Sequence, residues 1–78
     1  MVTLEEATRK AREYLNSAGF PDLVLRLREI THDDNRNRWR AVFEHIFEPA
    51  ETLYVEIDGE TAEVKGFRRE RAGGRSNP

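Results

Sequence analysis

The chain has 78 residues, 13 basic against 15 acidic side chains, a net charge of −2 and no cysteine. That length makes one domain, burying only about 60% of the surface its unfolded form exposes, and rules out disulfide and thiolate–zinc support. The charge is uneven: residues 68–78 hold four arginines against Glu70, so this stretch is +3 and the remainder −5.

Residues 3–18 read as an amphipathic helix. Thr3 and Glu6 have the spacing of a capping box. Leu4, Ala7, Ala11, Tyr14, Leu15 and Ala18 fall on one stripe, with Glu5, Arg9, Lys10, Arg12 and Glu13 opposite. Glu5 and Arg9 are spaced for an ion pair. Gly19 stands where a left-handed residue closes a helix, Phe20 can fold back on Leu15, and Pro21 stops the run.

The first strand is predicted over 23–31, where leucines at 23, 25 and 27 alternate with Val24, Arg26 and Arg28. Glu29 and Ile30 break the alternation, which predicts a bulge or strand end near Arg28. After the polar turn from His32 to Asn37, a second strand is predicted over 38–47, with Trp39, Ala41 and Phe43 facing the core. Pro49-Ala50-Glu51 is read as an interruption and residues 52–57 as the third strand. Asp58-Gly59 signals a two-residue hairpin, which would set Ile57 opposite Glu60, Val55 opposite Ala62 and Leu53 opposite Val64. In that register Gly66 lies on the covered face, marking a bend or a close helix approach, and Phe67 on the open one.

The expected architecture is α+β, one helix across one face of a four-stranded antiparallel meander (αββββ). Leu4, Ala7, Ala11, Leu15, Leu25, Leu53, Val55, Ile57 and Val64 form its predicted core. Residues 1–70 are read as the domain and 71–78 as a disordered Arg/Gly-rich tail; Arg68-Arg69-Glu70-Arg71 has two readings, an extension of the fourth strand that contacts an acidic partner or nucleic acid, and the favoured one, a solubilising tail.

This pattern resembles the PepSY-like domains over about residues 3–67. The likeness rests on Glu5-Glu6-Ala7, Trp39-Arg40-Ala41-Val42, and Val55-Glu56-Ile57-Asp58-Gly59 followed by Ala62-Glu63-Val64. Ala41 stands where that pattern has valine, and the final turn is shorter. A fainter likeness is to the C-terminal half of gas-vesicle O-type proteins. The PepSY-like resemblance implies an inhibitory or regulatory binding module, often outside the cytoplasm, and transfers no catalytic residue.

Candidate chemistry is sparse. His32 lies with Asp33 and Asp34 in a turn, and His45 alternates in direction with Glu44, so neither forms a converging ligand set. Ser17 and Ser76 have no base and orienting group that can be placed beside them. Gly73-Gly74 lacks the strand and helix of a phosphate loop. An enzyme is therefore not expected, and no cofactor or metal is implied.

The open sheet face offers more. Arg26, Arg28, Arg38, Arg40, Tyr54 and Phe67 are expected there, with Glu44, Glu56 and Glu63 able to neutralise the arginines. The leading expectation is binding of another protein, or self-association through Val24, Val42, Tyr54 and Phe67, by the open face or a strand edge. Single-stranded nucleic-acid binding through arginines and aromatics is the alternative, opposed by the acidic body. The chain shows neither a signal sequence nor an apolar run of about 18 residues, so a cytoplasmic location is expected and no membrane contact.

Overall fold

The computed structural model describes residues 1–71. Within them the chain forms helix α1 (Leu4–Ser17), a single 3-10 turn (Asp22–Val24), and strands β1 (Leu25–Asp33), β2 (Arg38–His45), β3 (Glu48–Asp58) and β4 (Val64–Arg71). The strands make one antiparallel sheet in the order β1-β2-β3-β4, and α1 packs on β2, β3 and β4. This is the αββββ arrangement expected. The tail Ala72–Pro78 lies outside the described residues.

The C-terminal closure forms as expected, and the N-terminus forms the Thr3 half of the expected capping box. The Thr3 hydroxyl accepts the Glu6 N–H at 3.1 Å. At the C-terminus Gly19 takes φ +103°, and the Phe20 N–H reaches the Leu15 carbonyl (2.8 Å) while the Gly19 N–H reaches that of Asn16 (3.2 Å). These are the two bonds of a Schellman closure. Arg9 pairs with Glu13 at 3.1 Å rather than with Glu5. Leu4, expected in the core, is 47% exposed; Val2 is buried instead, and its N–H donates to the Gly59 carbonyl at 3.0 Å. The core centres on Ala7, Ala11 and Leu15 from the helix and on Ala41, Phe43, Leu53, Val55 and Ile57 from β2 and β3, all fully buried.

The sheet follows the sequence pattern until its turns. The β1 register shifts between Leu27 and Glu29, placing the bulge at Arg28 as the broken alternation implies. Leu23 belongs to the 3-10 turn and is exposed, so β1 starts two residues later than expected. Pro49-Ala50-Glu51 does not interrupt β3. The β2–β3 connection is Ile46-Phe47, and residues 49–51 form an irregularity inside the pairing, between Glu44 opposite Thr52 and His45 opposite Glu48. A proline is tolerated there because a bulge asks for no ladder N–H.

The β3–β4 turn is longer than the Asp58-Gly59 dipeptide signals. Ile57 pairs with Val64, and the Asp58 N–H donates to the Glu63 carbonyl at 2.8 Å, so residues 59–62 make the loop. A two-residue type I′ turn needs positive φ at both central positions. Here the left-handed residue is Ala62, at φ 67°. The Asp58 carboxylate caps the loop by accepting the Glu60 (2.7 Å) and Thr61 (3.1 Å) N–H groups, which holds its pKa below the usual carboxylate range. A second bulge follows at Lys65, between Ile57 opposite Val64 and Glu56 opposite Gly66. It inverts the rest of β4. Phe67 therefore faces the helix, its ring 5.5 Å from that of Tyr14 and 6.5 Å from that of Phe20, and Gly66 faces out. The expectations for both residues are thus reversed. Arg68–Arg71, read as the start of a tail, continue β4 opposite Glu51–Tyr54.

Candidate interaction face

The register arranges the uncovered sheet face in cross-strand rows. One row runs Thr31, Arg40, Glu56, Gly66; the next Glu29, Val42, Tyr54, Arg68; the third Arg26, Glu44, Thr52, Glu70. Arg26, Arg38, Arg40 and Tyr54 thus lie on the expected face, and Arg68 joins them in the place foreseen for Phe67. Arg28, the bulged residue, also turns its guanidinium to this side, 3.8 Å from Glu44. The sequence sign of Arg68's place was the three-residue spacing of Val64 and Phe67, which share a face only across a bulge.

The expected basic patch is largely ion-paired. The Arg26 guanidinium donates to Glu44 through Nη2 (2.7 Å) and Nε (3.2 Å), and this contact lowers the Glu44 pKa. Arg38 donates to Glu56 at 3.2 Å across a diagonal. That diagonal pair has a consequence for Arg40, which stands directly opposite Glu56. Among the described residues no acid lies within 4.0 Å of the Arg40 guanidinium. Arg68 stacks over the Tyr54 ring at 4.4 Å, a cation–π geometry, with Glu70 3.7 Å away. The Tyr54 hydroxyl donates to the other Glu70 oxygen at 3.2 Å.

Gly66 sends no side chain into its row. The result is a shallow cleft of about 300 Å³ lined by Arg40, Tyr54, Glu56, Gly66, Phe67 and Arg68, although the Phe67 ring itself packs on the helix side. A Cβ built on Gly66 would meet only Glu56, at 3.7 and 3.9 Å. Backbone sterics therefore do not require glycine here; its effect is to leave the cleft empty. Apolar exposure on this face is small. Val42 is 5% exposed between Glu29 and Tyr54, Val24 is half-buried against the core, and Phe67 is on the other side.

Two other surfaces stand out. A groove of about 610 Å³ runs between α1 and β1, with Leu4, Thr8 and Arg12 on one wall and Leu27 on the other. At the end of the sheet Leu23, Ile46 and Phe47 are exposed, with Phe47 near His45. On the helix side, Glu51 is 3% exposed and accepts from Arg69 through Nε (2.6 Å) and Nη2, while the Arg69 guanidinium lies 5.4 Å from the Phe20 ring. This pair ties β4 to the β2–β3 irregularity.

Neither histidine joins a ligand set. His32 Nδ1 is 2.7 Å from Asp34 Oδ1 and Nε2 is 2.9 Å from Asn37 Oδ1, while its ring lies 4.8 Å from that of Trp39. His45 packs edge-on to Phe20. Ser17 donates to helix carbonyls of Glu13 and Tyr14. No group of three His, Cys, Asp or Glu side chains is poised for a metal ion among the described residues. No helix among them is long and apolar enough to cross a membrane.

Compared with protein-family models, with curated proteins and with solved structures, the chain matches none of them.

Proposed function

We propose that this domain is a small non-enzymatic interaction module that binds another protein through the open face of its sheet. The observation that carries the reading is Arg40, a cation left without an acid in a face where Arg26, Arg28 and Arg38 have one. A helix occupies one side of the sheet, so the other is the larger continuous surface on which a partner can lie. The resemblance to PepSY-like domains points the same way, toward binding and regulation. A shallow, solvent-open cleft suits recognition better than acid–base chemistry, which needs an enclosed pocket.

Addition of a partner strand is the less favoured mode. Both edge strands carry a bulge, β1 at Arg28 and β4 at Lys65, and charged residues line them, the usual devices against edge pairing. Nucleic-acid binding is also less well supported. The Tyr54 face that would stack a base is occupied by Arg68, and Glu29, Glu44 and Glu70 share the surface a phosphate chain would follow.

Selection of peptides from a displayed random library on the immobilised domain, followed by amide-shift mapping of each selected peptide, tests the reading. Shifts should concentrate on residues 26, 40, 42, 54, 66 and 68. Selected peptides that map to the α1–β1 groove or to the exposed end at Phe47 would refute it.

A further inference from the structure

Resting on the open-face reading, we infer that the cleft over Gly66 is a carboxylate subsite that takes one acidic side chain of a bound peptide. Three features converge there. Arg40 has five guanidinium donors and no acid within reach among the described residues, because Glu56 is engaged by Arg38. Arg68 is held over the Tyr54 ring with Glu70 3.7 Å from its Nη1, and Glu70 also accepts from the Tyr54 hydroxyl. Gly66 leaves the space between these two arginines open. A guanidinium already fixed by stacking loses little freedom on binding, and its planar fork matches a carboxylate.

The surroundings select a single negative charge over a chain of them. Glu56 lines the cleft, and the neighbouring rows present Glu29, Glu44 and Glu70. A phosphate backbone carries a charge at every step and would meet these acids in succession. An isolated glutamate or aspartate avoids them, and basic residues beside it in the peptide would complement them. The occupant is therefore an acidic side chain in an otherwise neutral or basic peptide segment.

The test uses a short threonine–lysine peptide with one central glutamate, the same peptide with glutamine there, and oligothymidylate, each titrated into the labelled domain at low salt. The glutamate peptide should shift the amides of Arg40, Tyr54, Gly66 and Arg68 and bind about tenfold more tightly than its glutamine counterpart, the difference expected from one charge-assisted contact. Arg40→Ala should abolish that preference. Gly66→Val should fill the cleft and remove binding, while thermal unfolding confirms an intact fold. Equal affinity of the two peptides on the open face would overturn the carboxylate subsite and leave the open-face reading standing. Binding of either peptide at the helix side or the sheet edges would overturn both. Binding of oligothymidylate alone, or of none of the three probes, would also overturn the subsite.

Discussion

Gly59 is the position where a single added methyl should cost most. An ideal Cβ there would lie 2.1 Å from Asn37 Oδ1, 2.6 Å from Asn37 Cγ and 2.7 Å from the Asn37 carbonyl oxygen. The side-chain atoms can rotate away; the carbonyl cannot, because it accepts the Gly59 N–H at 2.8 Å. Relief therefore requires the β1–β2 and β3–β4 loops to separate. That breaks the Gly59–Asn37 bond and strains the bond from Val2 N–H to the Gly59 carbonyl, each worth about 1 kcal/mol net. Overpacking adds about 1–3 kcal/mol. Gly59→Ala should thus lose about 2–4 kcal/mol from a domain whose whole stability is about 4–12 kcal/mol on a per-residue scale. At roughly 4–8 °C per kcal/mol, the midpoint of thermal unfolding should fall by about 10 °C or more. Circular dichroism during heating, with urea unfolding alongside, measures both quantities. Gly66→Ala is the internal control, since its Cβ has ordinary contact distances and alanine disfavours a strand less than glycine. If Gly59→Ala unfolds within about 0.5 kcal/mol of the parent, the ordinary range for a surface change, the account of this loop junction is wrong.

Other expectations follow from particular contacts. Phe43→Ala, at a fully buried site, should cost about 3–5 kcal/mol, as read by urea titration. Glu51→Ala leaves Arg69 without its carboxylate; because the Arg69 side chain is half exposed, the loss should be about 1–2 kcal/mol, below that of a fully buried pair. His32 is hydrogen-bonded to Asn37 and Asp34, which raises its pKa above 6.5. The protonated form is thus favoured by folding, so this contribution is fully present below pH 6.5 and is lost as pH rises through the higher folded value. A ring-proton titration should place the His32 midpoint above 6.5, and Asn37→Ala should bring it down; a midpoint at or below 6.5 in the parent contradicts the contact. Glu44 and Asp58 act in the opposite sense. Their lowered pKa values give stability above 4.5 and 3.8 respectively, lost as acid protonates them, so Asp58→Asn should flatten acid unfolding.

Much of the fold was legible because its signals are local. Thr3, Gly19 and Phe20 specify the helix ends by bonds made within a turn or two. The broken alternation at Glu29-Ile30 marked a bulge or a strand end near Arg28, and a bulge is what forms, since it changes which residues face inward. The hairpin at Asp58-Gly59 misled for a tertiary reason. Glycine is needed there to let Asn37 approach, not to supply a left-handed turn, and Ala62 takes the positive φ instead. With the longer loop came the Lys65 bulge, and it exchanged the faces of Gly66 and Phe67. The candidate face was therefore foreseen in its β1–β3 part, through Arg26, Arg28, Arg38, Arg40 and Tyr54, and missed in β4. Which arginine lacks an acid depends on the Arg38–Glu56 diagonal, a choice between two neighbours that spacing alone cannot rank.

That choice is open to direct measurement. Proton exchange at each arginine Nε–H reports whether its guanidinium is held by an acid. The unliganded domain should show slow exchange at Arg26, whose Nε donates to Glu44, and at Arg69, whose Nε donates to Glu51, fast exchange at Arg40, and slowing at Arg40 when the glutamate peptide binds. Exchange at Arg40 as slow as at Arg26 before any ligand is added would contradict the central claim.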